Sequence, residues 1–302
     1  MFKNLLSATD LIETYDPPVI AAFDLAKQNH ANLQVLHVLE SASSQSRNLV
    51  KHFKTGKEIE CNDTYEQEVK EEIEKTYTNY FKSYRNISIR VTCGYPFEEI
   101  SHWAEEIRAD LIVIGPHSSR AADQGVVRVK GKIGSTAEGV ITNECCPVMI
   151  VNTHLIDQKL QFKKIVVSID FSNSCVCALR FAVKLAQFYD SRICAYHMLP
   201  VPPCSQYTQA MYAAAIKIAE EKLETICNDI PTGIAYECNV WGGVHPHFEI
   251  LKCASSKTAQ AIVMGSHTKE QNGKWYVGST VERVSYRARC PVIVITDPKV
   301  LF

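Results

Sequence analysis

The chain has no apolar run approaching the ~18–20 residues that a membrane-spanning helix requires, which leads to the expectation of a soluble protein. It also has no excess of either charge, with 32 Lys and Arg against 33 Asp and Glu and a formal net charge of −1. That balance provides neither a basic footprint for nucleic acid nor an acidic solvating tail. The opening stretch Met1–Asp10 offers too short an apolar segment for a secretory signal before acidic residues follow. A cytoplasmic location, with no membrane and no nucleic acid as partner, is the resulting expectation. The 12 cysteines include no Cys-x-x-Cys and no Cys/His spacing of zinc type. Many sit inside apolar strand or helix patterns, or just before Pro-Val runs, so reduced and buried thiols are expected. Cys175-Val176-Cys177 is too close for a structural zinc pair, and its two thiols are expected on opposite sides of a helix. A Walker lysine motif, a Ser-His-Asp order and a paired-carboxylate arrangement are all missing, so no committed enzyme is expected, at most a weakly hydrolytic protein.

What is present is ordinary globular material, 302 residues with 46% apolar and 22% charged, enough for two domains. The chain also repeats itself, and a repeat of this kind fixes the architecture. Leu5–Asp10 matches Ile165–Asp170, and Leu36-His37-Val38 matches Tyr196-His197-Met198. Ala109–Gly115 matches Ala259–Gly265, Ile133–Thr136 matches Val277–Thr280, and Cys146–Val151 matches Cys290–Ile295. The offset falls from 160 at Asp10/Asp170 to 150 at Gly115/Gly265 and 144 at Gly134/Gly278, so the second copy is shorter in the middle and after strand four. The reading is two domains, 1–156 and 157–302, joined near residues 153–162.

Within each copy, apolar strand patterns alternate with helical ones. In the first, strands at 4–9, 32–39, 87–91, 111–114 and 147–151 are separated by helices at 17–29, 65–84, 96–108 and 135–143, with residues 41–62 a polar connection. In the second, strands are placed at 163–169, 191–198, 234–240, 260–264 and 292–296, and helices at 174–189, 205–228, 246–257 and 279–288. Five strands alternating with four helices predict an α/β fold, a doubly wound parallel sheet of Rossmann-like or flavodoxin-like type, twice over. Ligands of such sheets bind beyond the carboxyl ends of the strands, where the strand order reverses. That rule selects Asp10, Val38 and Gly115 in the first copy and Asp170, Met198 and Gly265 in the second.

After strand four the second copy reads Gly265-Ser266-His267-Thr268, then nine residues, then Gly278-Ser279-Thr280 at the start of a helix. Free N–H groups at a helix start favour an anion, and a strand-end glycine is expected to let the backbone turn sharply towards a ligand. Ser279 acting only as a helix cap is the bland alternative.

These features resemble the universal stress protein family in its tandem form: Asp at the end of strand one, an apolar-His-apolar end to strand two, and the segment from strand four to the closing Cys-Pro-Val strand. The resemblance covers nearly the whole chain twice. It implies ATP or a related adenine nucleotide, with Mg2+ beside ATP or with AMP instead. Asp170 and Met198 would hold the adenosine part, and Gly265, His267, Thr268, Gly278, Ser279 and Thr280 the ribose and phosphates. In the first copy the matching residues are Asp10, Val38, Gly115, Gly134, Ser135 and Thr136. It further implies packing of the two domains through their last strands, or a homodimer, and a nucleotide-responsive regulatory role.

Both copies depart from the family loop, in which a second glycine follows the first after two residues. Thr268 stands there in the second copy and Ser118 in the first, where fifteen rather than nine residues precede Gly134. The longer loop carries Arg120, Arg128, Lys130 and Lys132, read first as solubilising charges. The second domain is therefore the better nucleotide candidate. A ligand-free interaction protein with degenerate loops is the competing reading. His37 and His197 are expected as satisfied core histidines, His117 and His267 as non-catalytic, His245 and His247 as lacking a third metal ligand, and Trp241 as packed. Met211, Ala214, Ala215, Ile218 and Leu223 form a helical stripe read first as sheet cover.

Overall fold

A computed structural model describes residues 1–10, 16–43, 46–52, 55–117, 132–143, 146–152, 159–201, 208–266 and 277–296. The chain divides into two compact units, Phe2–Leu160 and Gln161–Phe302.

In the first unit β1 (Asn4–Thr9) leads to α1 (Pro17–Asn29), where two prolines at the first turn supply the fixed φ that a helix start needs. Strand β2 (Asn32–Ser43) follows, then β3 (Ser46–Lys51), β4 (Glu58–Glu60), α2 (Asp63–Thr76) and α3 (Thr78–Ser83). The unit closes with β5 (Ile87–Gly94), α4 (Pro96–Glu106), β6 (Leu111–Ile114), α5 (Ser135–Asn143) and β7 (Val148–Ile150). The parallel sheet runs β5-β2-β1-β6-β7. All residues of β6 and β7 are buried, as continuous apolar runs must be when helices cover both faces.

The second unit contains β8 (Lys164–Ser168), α6 (Asn173–Tyr189), β9 (Arg192–Pro200), α7 (Gln209–Cys227), β10 (Tyr236–Gly243), α8 (Pro246–Ser256), β11 (Ala261–Gly265), α9 (Ser279–Arg287) and β12 (Val292–Ile295). Its parallel order β10-β9-β8-β11-β12 repeats that of the first unit. Even the helix ends repeat. His30 and Asp190 close α1 and α6 in the left-handed conformation, and Arg108 and Thr258 sit in the same conformation just beyond α4 and α8. The next residues donate back across five positions, Ala31 to Ala26, Ser191 to Ala186, Ala109 to Ala104 and Ala259 to Ala254, satisfying carbonyls that the helix leaves open.

The polar connection expected at 41–62 is structured instead. β2 runs on to Ser43 and pairs antiparallel with β3, which pairs antiparallel with β4. The expected helix 65–84 is two helices broken at Tyr77, whose ring is buried and whose hydroxyl lies 3.2 Å from Thr9 Oγ1 and donates to Asp16 Oδ2 at 3.3 Å. The thiols are not all reduced, because Cys61 and Cys93 are joined by a disulfide. Cys175 and Cys177, two positions apart on α6, lie on different sides of it. Both are buried, since α6 packs against β8, β9, β11 and β12 and hides most of its circumference.

The apolar stripe of α7 is likewise not sheet cover as a whole. Ala219, Leu223 and Cys227 are buried under the sheet, whereas Met211 and Ile218 are about half exposed and Ala214 is exposed. The buried face of α7 is offset from that stripe, so Leu223 is its one member in the core.

Candidate functional site

The reversal in strand order falls between β1 and β6 in the first unit and between β8 and β11 in the second. Register then decides which residues meet there. Ser168 pairs with both Met264 and Tyr196, so Asp170 continues level with Met198 on one side and Ser266 on the other. Thr9 pairs with His37, which sets Asp10 level with Val38, and Ser7 pairs with Val113, which brings Gly115 and Pro116 to the same end. The strand-end residues selected from sequence thus lie level with one another at the carboxyl ends of neighbouring strands in each unit.

In the second unit, Asp170 Oδ1 accepts from Ser172 N at 3.1 Å and from the Ser172 hydroxyl, while Ser172 Oγ accepts from Cys175 N to cap α6. The turn places Phe171 at φ 64° and lays its ring 4.3 Å from that of His197. His197 Nδ1 lies 2.8 Å from Ile169 O, and His37 Nδ1 lies 2.8 Å from Thr9 O. Both histidines tie strand two to the end of strand one; His37 is in the core as expected, whereas His197 is half-buried. Met198 is half-buried and Val38 buried.

Gly265 does not act through a sharp turn, since neither it nor Gly115 has a positive φ. A Cβ on Gly265 would lie 2.5 Å from Ser174 C and 2.6 Å from Cys175 N. The glycine allows β11 to approach the first turn of α6. Next to it, Ser266 is 1% exposed and its N–H donates to Ile295 O at 2.8 Å, while among the described residues nothing pairs with its hydroxyl.

Helix α9 starts with Gly278, not Ser279, at the N-cap, and no side chain caps it. The first intrahelical bond is Glu282 N to Gly278 O. Among the described residues, nothing accepts from the N–H groups of Ser279, Thr280 or Val281, and no atom lies within 4 Å of where a Gly278 Cβ would sit. Ser279 is exposed and Thr280 half-buried. Capping by Ser279 is therefore not what this helix start does. Three N–H donors, two hydroxyls and a dipole end suit a phosphate, and the Ser266 hydroxyl suits a further polar group. Ligands for Mg2+ are not gathered here among the described residues, so the phosphates would have to carry such an ion. His267 and Thr268 lie outside the described residues.

The first unit keeps the frame but changes the fittings. Gly134 N donates to Pro116 O at 2.7 Å, its carbonyl accepts from Glu138 N, and the His117 ring lies 3.5 Å from where a Gly134 Cβ would be. Ser135 is exposed and Thr136 half-buried, as in the second unit. Ser118, Arg120, Arg128 and Lys130 lie outside the described residues, and Lys132 is exposed. Near Asp10, the half-buried Asp16 accepts the Tyr77 hydroxyl hydrogen bond. Burial pushes its pKa up to about 6, with Asp10 adding to the rise and hydrogen bonds from Thr9, Val19 and Tyr77 opposing it. Sequence reading missed Asp16, Tyr77 and Ser266. Asp16 alone had a visible signal, an acidic residue immediately before Pro17-Pro18.

Trp241 is packed as expected, its Nε1 donating to Glu249 Oε2 at 3.2 Å and its ring 4.6 Å from that of Tyr196. The His245 and His247 rings are tilted to each other with centroids 5.9 Å apart, and His247 has its pKa lowered by burial and by Arg283, Arg287 and His245. Among the described residues the one grouping of three potential metal ligands is Cys61, Glu66 and Cys93.

A model of the Universal stress protein family matches residues 1–152 and again 161–296. The chain belongs to the universal stress protein family. A universal stress protein of Methanocaldococcus jannaschii is 27% identical over 156 residues, half of this chain and 91% of that protein. A universal stress protein A homologue of Coxiella burnetii is 26% identical over 152 residues, half of this chain and 96% of that protein. Among solved structures, a universal stress protein from Archaeoglobus fulgidus superimposes with a TM-score of 0.65 at 22% identity, covering 97% of this chain and 98% of that one. At that identity it supports the fold alone, an α/β fold carried by two tandem universal stress protein domains. Among the described residues no helix is long and apolar enough to cross a membrane.

Proposed function

We propose that this tandem universal stress protein binds ATP or a related adenine nucleotide in its second domain and acts as a nucleotide-responsive regulator rather than a committed enzyme. The observation that carries the reading is an α9 N-terminus that no side chain caps, at Gly278, together with the buried Ser266 hydroxyl at the end of β11, unpartnered among the described residues. Asp170 and Met198, level with each other at the strand ends, are the candidates for the adenosine end. Gly265, Gly278, Ser279 and Thr280 are those for the phosphate end, with His267 and Thr268 between. The matching first-domain set, Asp10, Val38, Gly115, Gly134, Ser135 and Thr136, is assigned a weaker site or none.

Mass spectrometry of small molecules released by denaturing freshly purified protein tests this. About one adenine nucleotide per chain supports it. No released nucleotide, and no stabilisation by excess Mg-ATP, overturns it. The second reading, an interaction protein without nucleotide, is favoured by the exposed Met211 and Ile218 of α7 together with exposed Val244 and Phe248 in the same unit. A Gly278→Ala/Ser279→Ala variant separates the two. Loss of function with an unchanged fold supports the nucleotide, and unchanged function supports the interaction surface.

A further inference from the structure

The first unit differs from the second by the β3–β4 hairpin, and this extra segment delivers Cys61 to the first turn of α2, next to Cys93 near the end of β5. Glu66, on that first turn, completes the grouping. Its Oε1 lies 3.5 Å from Cys93 Sγ and 3.7 Å from Cys61 Sγ. All three ligand atoms lie within 4.8 Å of one another, on side chains that are half-buried and so within reach of a solvent ion. The residues come from three places in sequence and two are separated by 32 positions, so no spacing motif announces them. In the second unit the corresponding strand ends Trp241-Gly242-Gly243, without a cysteine.

We propose that, once its disulfide is reduced, the Cys61–Glu66–Cys93 cluster is a binding site for a thiophilic divalent cation of the zinc class, with water as fourth ligand. Two thiolates and one carboxylate in an open three-ligand arrangement are a donor set that zinc accepts. The Cα atoms of Cys61 and Cys93 are 7.1 Å apart. That is beyond the about 6.8 Å upper end of usual disulfide spacing. It accommodates sulfurs about 3.8 Å apart, the separation set by two Zn–S bonds of about 2.3 Å at a tetrahedral angle. An external dithiol reduces the disulfide: two electrons and two protons pass to the cysteine sulfurs while the dithiol becomes a disulfide. Binding of the dication then displaces the two thiol protons to solvent and leaves two metal–thiolate bonds. In either state the cluster fastens the start of α2, and with it the hairpin, to β5 at the sheet edge.

The test is titration of the full chain with Co2+ under a phosphine reductant, followed by competition with Zn2+. The expected result is one high-affinity cobalt per chain with sulfur-to-cobalt charge-transfer absorption, displaced by zinc. Cys61→Ser/Cys93→Ser should abolish that absorption. Glu66→Gln should weaken binding by at least the roughly tenfold that even an outer-shell partner is worth. Cys146→Ser, a half-buried thiol outside the cluster, should leave the titration unchanged. Circular dichroism and melting confirm that each variant is folded. The proposal is overturned by an absence of cobalt binding to the reduced chain. It is equally overturned by binding that survives the double Cys→Ser change, which would place the metal on other thiols.

Discussion

Two glycines that look alike in sequence do different work at the residue scale. Gly265 is wedged against backbone atoms of Ser174 and Cys175, which cannot swing away as a side-chain tip could. Gly265→Ala should therefore cost about 1–3 kcal/mol by overpacking, with or without ligand. Gly278 has an ordinary φ of −61° and open space among the described residues. Gly278→Ala should leave melting of the apoprotein nearly unchanged while weakening nucleotide binding, as checked by melting curves and titration of the two variants side by side. Asp16 supplies a pH prediction. Its folded pKa of about 6 stands above the ordinary 3.8. The favourable state is thus the protonated one, fully present below about 3.8 and lost as pH rises through about 6. Asp16→Asn should stabilise the first domain at pH 7.5, by up to about 3 kcal/mol for a rise of this size. The advantage should vanish near pH 4, and denaturant melts at both values measure it.

At the scale of elements, the helix α7 has two faces whose tolerance should differ sharply. Leu223 is fully buried, so Leu223→Ala should cost about 2–5 kcal/mol. Met211→Lys and Ile218→Lys, at half-exposed positions, should stay within about 0.5 kcal/mol. A large loss of stability in either lysine variant would show that the stripe is covered after all, and denaturant midpoints decide it. This helix also marks where sequence reading stops. The stripe is legible as apolar, but which apolar face meets the sheet depends on how the helix is rotated, and that is set by packing. Elements whose pattern comes from burial on both sides, such as β6, β11 and β12, were legible almost to the residue, as was α1 with its Pro17-Pro18 start. β3 and β4 were not, because among the described side chains Val50 is their one buried apolar anchor and the rest of the hairpin has no alternating pattern to read. The break at Tyr77 was hidden too. Tyr65, Val69, Ile73 and Tyr77 follow one another at helical spacing, so the apolar pattern runs on to the residue at which the helix ends and whose hydroxyl meets Thr9 and Asp16. In the candidate site, the strand-end residues were legible because the repeat gives them twice. Ser266 was not, since a serine after a strand says nothing about whether its hydroxyl finds a partner.

At the scale of the whole molecule, duplication supplies one frame twice and lets the copies diverge. Strand order, the histidine tie between strands one and two, and the left-handed helix ends are kept in both units. The divergence lies in what surrounds the frame. The first unit has the half-buried Asp16–Tyr77 contact at its strand-one exit and a longer loop after strand four, and the second has Ser172 in the turn and the shorter loop. If nucleotide binds to one unit, its linkage to stability should be confined to that unit. Calorimetry with saturating Mg-ATP should then move the unfolding of the second unit upward, with about 2.7 kcal/mol of stabilisation at a hundredfold excess over Kd. The first unit, monitored through Trp103, its single tryptophan, should melt where it does without ligand. Equal upward movement of both would mean two working crevices, or a ligand effect transmitted between units. Ser279→Ala distinguishes these, since only transmission makes the first unit's shift depend on a residue of the second.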